Sequence, residues 1–235
     1  ETTRGEITTT LGDLSMTGRA LLANVVLVPV VGIVLAKLFD LRPEIRLGFL
    51  LLAVAPGGPF ALQFARVSKC NRVLAVALLI LLSILTVFFT PLLVKLLFPA
   101  GTGRVPFVWL LILLLLVIIA PLLAGRALQR RIPEVAPKLG RLLGRLSIVF
   151  FIISAVSAGK YKTPAHKSMG VDGLVAIIAL ILGSWIIGWL LGGPEIRNRK
   201  VLAISTSMRH VGVCFPIAVN YFPGTEVVAP ILAFS

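Results

Sequence analysis

Polar side chains able to do chemistry are scarce in this chain, and they gather in one apolar stretch, VLAISTSMRHVGVCFPIAVNY (Val201–Tyr221). Ser205, Thr206, Ser207, Arg209 and His210 stand in its middle, followed by the helix weakeners Val211 and Gly212 and by Pro216. Arg209 comes nine residues after Lys200, about 13 Å along a helix and so near mid-bilayer. A guanidinium keeps its charge at any accessible pH, and an ionisable group at membrane depth marks a functional site by default. The chemistry on offer is a fixed positive charge in a water-accessible anion site. Ser205 and Ser207 add hydroxyls, and His210 adds an imidazole that titrates near neutrality. The plainer reading is a structural arginine satisfied by backbone carbonyls, a packed histidine, and hydroxyls bonded to their own helix.

A second stretch of the same kind, APGGPFALQFARVSKCNRVLAV (Ala55–Val76), is interrupted by Pro56, Gly57, Gly58 and Pro59 and carries Gln63, Arg66, Lys69, Asn71 and Arg72. Its long basic side chains either contact a ligand or snorkel to an interface. Two interrupted apolar segments in corresponding places of two halves point to the substrate site of a transporter.

The missing groups narrow the chemistry further. All nine acidic residues fall in loops or near predicted helix ends, so there are no paired carboxylates for acid–base work, no intramembrane carboxylate relay and no hard-cation cage. His166 and His210 lack metal-ligand spacing, and no GxSxG, P-loop or HExxH motif occurs. An enzyme is not expected, nor a resident metal or cofactor. Cys70 and Cys214 sit in apolar sequence and read as small hydrophobes or as soft ligands, not as a disulfide framework.

The elements that position these residues are membrane helices. Hydrophobic residues make up 58% of the 235, charged residues only 14%, and the mean hydropathy is +1.03. Runs such as Leu110–Leu123 and Val175–Leu191 are too apolar for ordinary core helices. The class is an all-α polytopic membrane protein whose solvent partner is the lipid bilayer. The net charge of +14 is the Lys/Arg excess of cytoplasmic loops and not a nucleic-acid footprint.

Expected spans are Gly18–Leu38 with a kink at Pro29, the interrupted piece beginning at Leu47, Val73–Phe98, Val105–Leu128, Leu146–Ala158, Gly173–Leu191, Val201–Tyr221, and a return starting at Val227. Val73–Phe98 is long for one pass and short for two. The loop Arg126–Arg145 is the most basic and is placed in the cytoplasm, in a multi-pass cell membrane of the bacterial inner-membrane type. The chain begins at Glu1 and stops at Ser235 within an apolar run, so a helix is expected beyond each end. A twofold organisation divides it at residues 1–104 and 105–235, with interrupted helices at about 56–82 and 201–221.

The order LLAVAPGGPFALQFARVSKCNRVLAVALL, a long basic-ended helix, then RKVLAISTSMRHVGVCFPIAV resembles the bile acid:sodium symporter family from about Gly12 to Ser235. The most specific elements are Pro56–Gly58, the Lys69-x-Asn71 pattern and Ser207-Met208 with Gly212. The resemblance implies two inverted five-helix repeats with panel and core domains, and two discontinuous helices that cross. It favours a hairpin for Val73–Phe98, and against that pattern the chain lacks the first helix and most of the tenth.

Departures from the family pattern fall on its cation site. The family's Glu-x-Gly-Met-Gln-Asn-Ser-Gly is here Ser205 to Gly212, so the sodium-binding glutamate is a serine and the glutamine is Arg209. Its Ser-Asn sodium ligands fall on Ala61 and Leu62, and further ligands on Ala75 and Leu79. The expectation is a secondary transporter of an organic or small anion in which sodium coupling has been lost. Gln63, Lys69, Asn71, Ser205, Ser207, Arg209 and His210 would face the substrate. The alternatives are an arsenite-type metalloid exporter using Cys70 or Cys214, and a non-transporting membrane sensor with the same fold.

Overall fold

The computed structural model describes residues 12–58, 60–97, 107–116, 120–136, 138–140, 142–143, 146 and 165–235. The expected span Leu146–Ala158 lies almost wholly outside them. Among the described residues there are helices and one isolated β-bridge, and no strand.

Helix α1, Leu14–Leu38, starts at Asp13, whose Oδ1 accepts from the Ser15 and Met16 amides at 3.1 Å and so satisfies free first-turn donors. Its middle, Leu22–Leu27, is a π-turn directly ahead of Pro29. Proline removes a donor and crowds the carbonyl four residues back, and the extra residue of the π-turn relieves that crowding. Leu22, Val26, Val30 and Val34 are exposed at four-residue spacing, an apolar stripe that suits lipid and not water.

Helix α2, Pro43–Val54, has Pro43 and Glu44 in its first turn and is buried from Gly48 onward. It stops where Pro56 pushes Ala55 out of the helical region (φ −104, ψ 88). After the break comes α3, Phe60–Val67, then a turn in which Lys69 takes φ 53. Asn71 Oδ1 accepts from the Leu74 amide at 3.2 Å, opening α4, Arg72–Leu97. The interval 56–82 expected for the first interrupted helix therefore takes in the break, α3, the turn and the start of α4. The half-helix leading into the break lies upstream of it, at Pro43–Val54.

Helix α4 is continuous over 26 residues, with Pro91 inside it. The hairpin implied for Val73–Phe98 is corrected to a single pass. No Gly, Asn or Asp is present to make a turn, and a lone proline costs one backbone hydrogen bond without reversing the chain.

Helices α5 (Phe107–Leu114) and α6 (Ala120–Arg131) follow. Helix α7, Ala165–Leu191, is kinked at Gly170 (φ 70, ψ 177) and apolar from Met169 onward. Trp185 and Trp189 stack on its outer side with ring centroids 5.4 Å apart. Then come α8 (Ile196–Ser207), a break at Met208–His210, α9 (Val211–Tyr221) and α10 (Val228–Phe234). Among the described residues three helices, Leu14–Leu38, Arg72–Leu96 and Met169–Leu191, are long and apolar enough to cross a membrane.

Helix α2 is central. One side packs with α4, α5, α9 and α10 around Leu51, Val87, Leu110, Ile217 and Ile231. The other packs with α1 and α7 around Phe49, Ala36 and Leu180. At its outer end Arg42 pairs with Glu226 at 3.1 Å, and Glu44 accepts from the Glu226 amide at 2.9 Å.

Candidate functional site at the crossing of two broken helices

Breaking a helix leaves carbonyls without partners on one side of the break and amides on the other. In this protein the two breaks supply each other. Pro56 and Arg209 form an antiparallel bridge: the Gly58 amide donates to Met208 O at 3.2 Å and the His210 amide to Ala55 O at 3.0 Å. Glycine is required at two positions here. Gly57 has φ 75, and a Cβ on Gly58 would lie 2.4 Å from Arg209 O. Helix α4 closes the crossing from behind, where Thr86 Oγ1 donates to Pro56 O at 2.8 Å and Thr90 Oγ1 to Val54 O at 3.4 Å.

Arg209 is 2% exposed. Its Nε donates to Leu52 O at 2.9 Å, Nη2 donates to Ala53 O, and Nη1 donates to Thr206 O at 3.2 Å and to Asn24 Oδ1 at 3.5 Å. Leu52 and Ala53 end α2, and Thr206 ends α8. The guanidinium thus lies where two helix C-termini converge, each a concentration of negative partial charge. No carboxylate pairs with it among the described residues. It is a fixed cation held by three backbone carbonyls and one side-chain amide oxygen.

The rest of the second interrupted segment is divided between structural and open roles. Ser205 Oγ donates to Leu202 O and Ser207 Oγ to Ile204 O, both at 3.1 Å. Thr206 Oγ1 bonds back to Leu202 O and reaches Ser184 O of α7 at 2.9 Å. Gly188 makes that approach possible, since a Cβ there would sit 2.2 Å from Thr206 Oγ1. His210 is 8% exposed, and its Nδ1 has no hydrogen-bond partner among the described residues. Gly212 and Pro216 lie inside α9, not in the break that Met208, Arg209 and His210 form.

Next to the crossing is a small cavity lined by Gly57, Gly58, Ala61, Ala65, Ala75, Leu79, Leu82, Val201 and Ser205. Ala61, Ala75, Leu79 and Ser205 are four of the positions where the sequence departs from the cation-binding pattern, and the fold brings them to one place. Ser205 has the sole side-chain oxygen among these residues, and it is turned to its own helix.

Several expected site residues are elsewhere. Asn71 caps α4 and bonds Asn198 Oδ1 through Nδ2 at 3.0 Å, at the start of α8 and not at the crossing. Lys69 is exposed in the preceding turn. The side chain of Gln63 lies outside the described residues. Cys70 and Cys214 belong to different packed clusters, and Cys214 Sγ donates to Leu51 O at 3.4 Å. Burial pushes the Cys70 thiol above its ordinary pKa, with Lys200 opposing. Sequence reasoning missed Asn24, Thr86 and Thr90. A single amide in the apolar run of α1, just ahead of Pro29, was the available signal for Asn24.

A family model described as the Sodium Bile acid symporter family matches residues 4–167, a range that holds the first break. The chain is also similar to a Bacillus subtilis (strain 168) protein described as an uncharacterized sodium-dependent transporter, YocS. The two are 26% identical over 214 residues, which covers 86% of this chain and 63% of the relative. The chain thus spans under two thirds of that relative's length.

Proposed function

Because the chain belongs to the sodium bile acid symporter family, we propose that it carries an organic or small anion across the membrane by alternating access, with Arg209 in place of a coupling cation. The observation that carries this reading is the seat of the guanidinium on the Leu52, Ala53 and Thr206 carbonyls. A cation is the natural occupant of a point where two helix C-termini meet, and here it is tethered. The neighbouring cavity has alanine and leucine at three of the matching positions, and its one side-chain oxygen, that of Ser205, is turned to its own helix, a poor set of ligands for sodium. Sodium as co-substrate is therefore not part of the proposal.

An anion is the matching substrate because the buried charge has no carboxylate partner among the described residues. The N-termini of α3 and α9 add positive dipole ends, and the free His210 Nδ1 adds a polar atom that a substrate oxygen would satisfy. In this reading Arg209 acts through its charge, His210 contacts the substrate, Ser205 and Ser207 line the path, and Gln63 is a further substrate residue proposed from sequence. Lys69 and Asn71 stand at the mouth.

The order of span, interrupted helix and further helix occurs twice, as α1, α2/α3, α4 and as α7, α8/α9, α10. That order supports two inverted repeats, residues 1–104 and 105–235, and a core built on the crossing. With α4 a single pass, the Asn71–Asn198 contact supports a common side for Lys69, Arg72, Arg197, Arg199 and Lys200. The positive-inside rule makes that side, with the Arg126–Arg145 loop, cytoplasmic.

For the exporter reading, which rests on Cys70 or Cys214, both thiols are buried, in different packed clusters. Counterflow of labelled cholate in liposomes containing the purified protein tests transport. Accumulation of label supports the proposal, and binding without counterflow would favour a sensor.

A further inference from the structure

Asn24 is the single polar side chain between Arg19 and Lys37 of α1, and it is fully buried. A buried amide is costly unless both its halves are bonded. Its Nδ2 donates to Ala20 O at 3.0 Å, which turns Oδ1 to the Arg209 Nη1 at 3.5 Å. The π-turn Leu22–Leu27 contains Asn24. About two turns further along α1, the helix approaches the end of α2 so closely that a Cβ on Gly32 would lie 2.4 Å from Ala53 Cβ. The guanidinium fork is therefore held from three elements, α1, α2 and α8.

We infer that Asn24 is a positioning residue that fixes the Arg209 guanidinium while leaving its charge unneutralised, and so keeps the site selective for anions. The selectivity half rests on the anion reading above. The positioning half stands on the contact alone. An aspartate has nearly the shape of asparagine and would satisfy the same donor, yet it would cancel the charge. An amide does one without the other.

The test has two arms. In thermal unfolding of the detergent-purified protein, Asn24→Asp is expected to lower Tm by at least about 5 °C more in an Arg209→Met background than in the wild type. In that background the new carboxylate is buried without its partner. Equal effects in both backgrounds would overturn the contact. If Arg209→Met does not fold, Arg209→Gln takes its place.

In the second arm, cholate uptake into liposomes is expected to fall about tenfold or more in Asn24→Asp, and clearly less in neutral Asn24→Ser, which loosens the hold on the guanidinium but leaves its charge. Unchanged uptake in Asn24→Asp would overturn the selectivity role. Uptake lost equally in both variants would reduce Asn24 to a structural residue. A wild type that neither binds nor carries cholate would count against the anion reading, and the unfolding arm would still judge the contact.

Discussion

The backbone amide of His210 donates to the carbonyl of Ala55 at 3.0 Å, joining the break in one interrupted helix to the break in the other. With the return bond from Gly58 to Met208 at 3.2 Å, the two irregular segments satisfy each other where water and lipid cannot. This pairing also sets where Arg209 emerges, directly over the last carbonyls of α2.

Removing the guanidinium should therefore damage the fold as well as the function. Arg209→Met leaves the Leu52, Ala53 and Thr206 carbonyls without their charged donor, and about 3 kcal/mol of stability should be lost. Arg209→Lys, with its charge but no fork, should fall between. Thermal unfolding in detergent ranks the three proteins, and equal stability of Met and Lys variants would mean that charge does not matter there.

The close approach at Gly58 gives a second expectation. Gly58→Ala drives a methyl to 2.4 Å from Arg209 O and should cost about 2 kcal/mol. Gly125→Ala meets nothing within 4 Å and serves as the control. Unfolding midpoints of the two variants check this, and the first must be clearly lower.

Helix α4 contributes through two hydroxyls, and that of Thr86 makes the shorter bond. Thr86→Val keeps the shape but strands Pro56 O, and about 1 kcal/mol should be lost. A larger fall in cholate uptake than in stability would show that the set of the break, and not the fold alone, depends on this bond.

The cysteines should be dispensable. Replacing Cys70 and Cys214 together by alanine is expected to leave cholate uptake within about twofold and to change no arsenite resistance in cells. Because burial raises the Cys70 thiol, little thiolate forms at neutral pH, and maleimide should label it slowly and faster as pH rises. Loss of resistance in the double variant would revive the exporter.

Much of this was legible in the residues. Proline and glycine at Pro56–Gly58 and the polar run before Gly212 placed both breaks, because helix-breaking chemistry is local. Helix limits were less legible: Gly212 and Pro216 look like breakers, yet proline in the second turn of a short helix is tolerated, and the break falls at Met208–His210. The capping role of Asn71 was not legible because a helix cap and a ligand look alike in sequence. Asn24 went unread because its meaning depends on Arg209, far away in the chain. The structural reading of Arg209, bonded to backbone carbonyls, and the functional one, a fixed charge at the site, turned out to be compatible.

The central claim is that Arg209 makes the coupling cation unnecessary. The most direct measurement is the initial rate of cholate uptake into liposomes with sodium replaced throughout by choline. The expected result is a rate unchanged within about twofold over the full range of sodium concentration. Strict dependence on sodium would contradict the account, because it would place a mobile cation where Arg209 already stands.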